Sequence, residues 1–154
     1  MKFFLGILSL LIPLSVHATC SQEDAPYQLT RTDRAYEQAM KLKASLERQG
    51  VEVTCVLPSK IQRMFDGQLG AAFFRTSVGV LDVMFMPESV DFQVRVVETK
   101  KDAGYFYSFE GKPSADNPGW DSNRKIYFIQ HRNWMISMDD ERFAAKLASI
   151  VRAM

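Results

Sequence analysis

The chain has 154 residues, with 19 basic against 18 acidic side chains, two histidines and two cysteines. This length suits one domain with a core of its own. Nucleic-acid-binding proteins usually carry a basic excess on one face, so the near-balanced charge argues against nucleic acid as a partner.

The first eighteen residues have the pattern of a secretory signal peptide. Lys2 precedes an apolar run over residues 3–12, and Ala18 closes a small-residue cleavage site. The run is too short to span a bilayer as a helix, which takes about 20 apolar residues. A lipoprotein signal would place leucine where His17 stands, so we interpret Cys20 as unlipidated. We therefore expect a signal peptide over 1–18, a mature domain over 19–154, and a periplasmic or secreted protein with no stable membrane anchor after cleavage.

The mature chain keeps both cysteines, Cys20 and Cys55. Two cysteines in an oxidising compartment most simply form one disulfide. This disulfide would close a loop of about 36 residues and stabilise the fold by roughly 4 kcal/mol if loop-closure entropy alone is counted. Neither a C-x-x-C spacing nor a flanking cationic cluster points to redox chemistry. The sequence therefore predicts a structural bridge between Cys20 and Cys55.

Helical periodicity begins after residue 30. Thr30 is the expected N-cap, with Asp33 three residues later as in a capping box. Gly50 is expected to end this helix in a left-handed conformation. The apolar stripe of the helix consists of Ala35, Ala39, Leu42 and Leu46, widened by Tyr36 and Met40.

The next two elements are a strand and a short helix. Residues 51–56 alternate and are rich in β-branched side chains, which predicts a strand. Pro58 and Ser59 are expected to start a short helix that ends near Gly67. The inward-facing side chains of that helix would be Ile61, Met64 and Phe65.

The middle of the chain is rich in β-forming residues. The stretch 71–86 is interpreted either as two strands joined near Ser77-Val78-Gly79 or as one long bulged strand. Further strands are expected over 92–98 and 105–110, and a long loop over 111–124.

The last part of the chain predicts a hairpin and a helix. Residues 125–131 and 134–138 flank Arg132-Asn133, which is a hairpin length, and asparagine tolerates positive φ. Asp139 is the expected N-cap of a final helix. The predicted fold class is α+β: a single domain with an antiparallel meander of about five to seven strands, flanked by an N-terminal and a C-terminal helix, plus one short helix.

Two titratable residues are candidates for catalysis. His131 is the only histidine of the mature chain, which excludes histidine-rich metal sites, and no serine stands in a G-x-S-x-G motif. Asp82 interrupts the apolar run "VGVLDVMFM" and shares a strand face with Val80 and Met84. A carboxylate on an apolar face is costly unless it is paired, so Asp82 is expected to face solvent, directly or through a bulge near Gly79.

The segment 111–124 offers the strongest sign of a binding surface. It is long for a connection within a meander and carries a tryptophan among polar residues, as recognition loops do. Trp120 is expected either to anchor a partner or to fold back onto the edge of the sheet. Aromatic side chains on both faces of strand 105–110 add to the candidate surface. The candidate partner-binding residues are Asp116, Asn117, Trp120, Asp121, Tyr105 and Tyr107.

No nucleotide-binding motif and no calcium loop is present in the sequence, so we expect no cofactor and no metal. The pattern favours a non-catalytic protein-binding domain of the bacterial envelope, of the inhibitor or immunity type. One alternative is a small envelope hydrolase that uses Asp82 or His131. A second is an accessory subunit of a secretion or pilus assembly.

Overall fold

The structure is a computed structural model that describes residues 20–21, 28–59, 61, 64–112 and 119–154. The predicted signal peptide, 1–18, lies outside the described residues. Within the described part of the chain there are two helices and eight strands, which confirms the α+β class. Neither helix is long and apolar enough to cross a membrane. The elements are α1 Tyr36–Arg48, β1 Val53–Pro58, β2 Gly70–Thr76, β3 Gly79–Phe85, β4 Gln93–Lys101, β5 Gly104–Lys112, β6 Gly119–Ser122, β7 Tyr127–His131, β8 Trp134–Met138 and α2 Glu141–Arg152.

The strands form two antiparallel sheets rather than one meander. The five-stranded sheet has the order β1-β2-β3-β8-β7, and the three-stranded sheet has the order β4-β5-β6. After β3 the chain leaves the first sheet at Pro87, builds the second sheet and returns, so that Ser137 of β8 lies opposite Asp82 of β3. The prediction of a single meander was wrong. Short turns indicate which neighbouring strands pair, but they do not indicate that the chain comes back to the first sheet to pair β8 with β3.

The hairpins follow the sequence more closely. Strands β2 and β3 are joined by the two residues Ser77 and Val78, which settles stretch 71–86 as two strands. Strands β7 and β8 form the expected hairpin. The non-glycine residue with positive φ at that turn is Arg132 (φ 53°), not the asparagine beside it.

The five-stranded sheet lies between the helices and the second sheet. Side chains of a strand alternate between its faces. Leu81 and Val83 of β3 belong to one buried cluster with apolar residues of both helices. Met84 belongs to another cluster with Tyr107 and Phe109 of β5. The domain therefore has three layers, and we call the side of the five-stranded sheet that carries Met84 the inter-sheet face and the side that carries Leu81 and Val83 the helix face.

Helix α1 begins later than predicted. Its first residue is Tyr36, whereas Thr30 was the expected N-cap. The Asp33 carboxylate instead accepts hydrogen bonds from the Thr30 N–H (2.7 Å) and hydroxyl (2.8 Å), which closes a turn ahead of the helix. Gly50 follows the helix with φ 77°, as predicted.

Helix α2 is capped by a residue adjacent to the predicted one. The Asp140 side chain accepts a hydrogen bond from the Phe143 N–H at 2.6 Å, so Asp140 rather than Asp139 is the N-cap. The capped helix buries Phe143, Leu147 and Val151 against the sheet.

Two predicted segments are built differently. In the stretch expected to be a short helix, the described residues 64–67 form a bend and a turn, although Met64 and Phe65 are buried as expected. Of the expected loop 111–124, most of the described residues are strand, because β5 extends to Lys112 and residues 119–122 form β6. Residues 113–118 lie outside the described part, and with them Asp116 and Asn117.

The predicted disulfide is present. Cys20 and Cys55 are bonded, with their Cα atoms 4.7 Å apart. Cys55 is buried in β1, so the bridge ties residue 20 to an edge strand of the five-stranded sheet.

Candidate functional site

A cavity of about 180 Å³ lies against the inter-sheet face of the five-stranded sheet, beside β6. Part of its wall is a row of cross-strand neighbours, Phe73 of β2, Asp82 of β3 and Ser137 of β8. We call it the Asp82 cavity. Val80, Trp120 and Ile126 also line this cavity.

The Asp82 carboxyl group is held in an apolar setting. It is half-buried, and its Oδ1 atom is shut off from water without a hydrogen-bond partner. Burial raises the pKa of the Asp82 carboxyl, against hydrogen bonds from the buried Ser59 hydroxyl and the Val83 backbone N–H, which lower it. Contrary to the expectation, Asp82 therefore does not face solvent freely, because the second sheet partly covers this face of β3 and leaves Oδ1 buried.

Trp120 forms one wall of the cavity instead of projecting from a loop. It is half-buried, and its ring meets Phe128 of β7 edge-on, with the ring centroids 5.8 Å apart. The alternative in which Trp120 packs onto the fold therefore describes the structure. It still leaves part of the indole at the cavity, beside Val80, whose side chain is 40% exposed.

The other candidate residues divide between core and surface. Tyr107 is 1% exposed, and its hydroxyl accepts a hydrogen bond from the Ile126 N–H at 2.7 Å, so it belongs to the core. Tyr105 is half-buried and stacks on Tyr107. Asp121 is exposed and forms an ion pair with Lys101 at 2.7 Å. Because Asp121 is adjacent to Trp120 on β6, it faces the opposite side of the sheet from the cavity.

His131 lines a separate and larger cleft of about 910 Å³ between α1, residues 88–93 and the β7–β8 hairpin. The centroid of its ring lies 5.7 Å from the ring centroid of Trp134, a residue of the helix-face cluster. Burial, with a smaller contribution from Arg132, lowers the pKa of His131. His131 and Asp82 are therefore not brought together, and a catalytic pair of the two is ruled out by the sheet between them.

The polar side chains of the larger cleft are used to hold its walls together. The Gln38 amide donates to Glu88 (3.2 Å) and accepts from the Trp134 indole N–H (3.3 Å). Gln130 bridges the Phe92 carbonyl and the Val94 N–H. These hydrogen bonds satisfy the side-chain amides of Gln38 and Gln130 within the protein, so neither amide indicates a bound ligand. Among the described residues, no group of three or more His, Cys, Asp or Glu side chains is placed to hold a metal ion.

The sequence indicated Asp82 and Trp120 as unusual residues, but it did not indicate that they share a cavity or that Phe73 and Ser59 lie beside Asp82. The position of Phe73 could have been predicted. A two-residue turn at Ser77–Val78 places Phe73 opposite Asp82, as the observed register does. The position of Trp120 in the cavity wall could not have been predicted from local pattern, because Trp120 belongs to the other sheet.

No protein-family model, curated protein or solved structure matches this chain.

Proposed function

We propose that this protein is an exported, non-catalytic domain of the bacterial envelope that binds a protein partner, in the manner of an inhibitor or immunity protein, and that the Asp82 cavity is the centre of its contact surface. The observation that carries the proposal is the cavity itself. It is lined by Trp120 and Phe73, and the exposed Val80 side chain lies at its margin. Aromatic side chains that wall a small pocket are typical of the energetic centre of a protein interface.

The location of the protein rests on the sequence. The signal-peptide pattern of residues 1–18 motivates export, and the Cys20–Cys55 bridge is compatible with an oxidising compartment.

The hydrolase alternative loses support from the separation of its two candidate residues. Asp82 lies on the inter-sheet face and His131 on the helix face, so each would have to act without the other. Hydrolases that work by general acid–base or nucleophilic catalysis commonly combine two such groups at one reacting centre. A binding role makes no such demand on either residue.

The assembly-subunit alternative would use the free edge of β4. This nine-residue strand ends the three-stranded sheet. It carries Arg95, Glu98, Lys100 and Lys101, and charged side chains on an edge strand protect it from pairing with another chain. The edge therefore favours this alternative less than the cavity favours a docking surface.

A photo-crosslinking experiment tests the proposal. A photoreactive phenylalanine analogue is placed at Val80, and in a control protein at Thr99, an exposed position of β4. Each protein is irradiated in an envelope extract of the producing organism. We expect a discrete adduct from position 80 and none from position 99, and at least about a tenfold loss of affinity for the identified partner in Val80→Glu. No adduct, or the same adducts from both positions, would overturn the proposal.

A further inference from the structure

We propose that the Asp82 cavity is a socket for a lysine side chain of the partner, with the lysine ammonium paired to the Asp82 carboxylate and its methylene stem against the apolar walls. This inference rests on the proposed function, which it deepens by naming the chemistry that the surface recognises.

The first reason is that the Asp82 carboxyl group has no counter-ion among the described residues. Its pKa is shifted by burial and by hydrogen bonds from Ser59 and Val83, and no cation among those residues contributes to the shift. Arg75 lies 6.0 Å from the centre of the Phe73 ring and does not pair with Asp82. A carboxylate in a poorly hydrated site gains more from an incoming cation than one already solvated or paired.

A neighbouring carboxylate shows the contrast. Asp139, at the end of β8 and also at the cavity, forms an ion pair with Arg124 at 3.1 Å. Its charge is compensated within the domain. The exposed carboxylates of the second sheet are likewise paired, Glu110 with Arg95 and Asp121 with Lys101. Among the described residues, Asp82 therefore stands out as the carboxyl group that combines an apolar setting with the lack of a paired cation.

The second reason is the shape and lining of the cavity. Its volume of about 180 Å³ corresponds to roughly six water molecules, counted at about 30 Å³ each. A lysine side chain consists of four methylene groups and one ammonium. Phe73, Trp120 and Ile126 offer apolar surface to the methylene stem, as happens when a long charged side chain buries its stem and keeps its charge at a polar group. The face of a tryptophan ring is also the best aromatic partner for a cation.

The third reason favours lysine over arginine. A guanidinium binds best when it reaches both oxygens of a carboxylate in parallel. The Ser59 hydroxyl acts on the Asp82 carboxyl group and lowers its pKa, and Oδ1 is buried without a partner. The χ2 torsion of aspartate is soft, so a binding ammonium can draw one oxygen toward the cavity. A single oxygen suits the compact charge of an ammonium.

The test uses a lysine analogue and its neutral counterpart. Nα-acetyl-lysine N-methylamide is titrated into the mature, disulfide-bonded protein and followed by NMR. We expect the indole N–H signal of Trp120 to shift with saturation, the Trp134 signal on the helix face to stay in place, and the titration midpoint of Asp82 to fall. The Nε-acetylated analogue, which has no charge, should bind at least about tenfold more weakly.

Variants separate charge recognition from general damage. Asp82→Asn should weaken binding of the charged analogue at least about tenfold, whereas Glu110→Gln, which removes an exposed carboxylate on the outer face of the second sheet, should leave it unchanged. Equal binding of both analogues, no shift of Trp120, or full binding by Asp82→Asn would overturn the inference. If position 80 still crosslinks to a protein partner in that case, the docking surface stands without the lysine socket. If the analogue binds as expected but no partner crosslinks, the socket stands and the proposed function fails.

Discussion

Asp82 and His131 face opposite sides of the five-stranded sheet. Asp82 lies in register with Ser137 on the inter-sheet face, and His131 lies against Trp134 on the helix face. One sheet thus separates a carboxyl group whose pKa is raised from an imidazole whose pKa is lowered. In both cases burial is the main cause and disfavours the charged form. The two groups therefore titrate as independent reporters of two different surfaces.

Replacing Asp82 should stabilise the protein at neutral pH. Because the folded-state pKa of Asp82 lies above its unfolded value, its contribution to stability is fully present below the unfolded pKa and is lost as the pH rises through the folded pKa. We expect Asp82→Asn to abolish this loss, because the amide carries no charge, and to raise the free energy of unfolding by about 1 kcal/mol at pH 7, a small part of the cost of burying an unpaired charge. Urea melts from pH 3 to 7 check this. The difference between the two proteins should shrink toward low pH, and an Asp82→Asn protein that is clearly less stable at pH 7 would contradict the structure.

A gain in stability on replacing Asp82 is also expected if Asp82 belongs to a binding site. Residues kept for a ligand commonly lower the stability of the free protein. Stability and binding of the lysine analogue should therefore change in opposite directions in Asp82→Asn.

His131 should titrate below its ordinary range. Its folded-state pKa is lowered, so its contribution to stability is present above the unfolded pKa of about 6.5 and is lost as the pH falls through the folded pKa. An NMR titration of the ring protons measures the midpoint directly. Arg132→Gln should raise the midpoint in part, because burial is the larger cause, while Arg95→Gln on the second sheet should not move it. A midpoint at or above the ordinary value would contradict the burial of the ring.

Part of this architecture was predictable from local patterns. The stripe Ala39, Leu42 and Leu46 of α1 is fully buried, and the two-residue hairpin predicted at Arg132-Asn133 is present. Such features depend on residues close together in the chain. The pairing of Asp82 with Ser137 spans 55 residues, and the contact of Trp120 with Phe128 joins two different sheets. Alternation and turn composition describe each strand separately, so they could indicate Asp82 and Trp120 as unusual residues but not the cavity that they share.

Loss of the disulfide should cost substantial stability. The bridge closes a long loop and fixes residue 20 to β1, so reduction enlarges the unfolded ensemble and frees the N-terminal segment. We expect the double variant Cys20→Ser, Cys55→Ser to lose about 2 to 4 kcal/mol of unfolding free energy. Urea denaturation with and without a reducing agent measures this. The reductant should lower the midpoint of the wild type and leave that of the double variant unchanged, and an unchanged wild-type midpoint would contradict a stabilising bridge.

If residues 1–18 are a cleaved signal peptide, as proposed, the mature protein should begin near Thr19. The small residues before position 19 predict cleavage after Ala18, and the residue pattern before Cys20 does not favour lipidation. The intact mass of the protein recovered from the producing cell checks both points. The expected mass is that of residues 19–154 less two hydrogens for the disulfide. A mass increased by a diacylglyceryl group, or one that retains residues 1–18, would contradict the expectation.

Truncation of Trp120 should affect stability as well as binding. The indole is half-buried, and it contacts Phe128 while forming a wall of the Asp82 cavity. A fully buried tryptophan costs about 3 to 5 kcal/mol when it is cut back to alanine. We expect roughly half of that loss for Trp120→Ala, because part of the ring is already in contact with water. Thermal and urea unfolding of the variant give the value.

A second substitution separates the two roles of this ring. Trp120→Phe keeps an aromatic side chain against Phe128, so it should retain most of the stability while it removes part of the cavity wall. If Trp120 also contacts the partner, Trp120→Phe should bind the partner and the lysine analogue more weakly at nearly unchanged melting temperature. A Trp120→Ala protein that melts like the wild type would show that the indole does not pack against β7 in solution. The free projecting tryptophan of a recognition loop would then be the better description of residue 120.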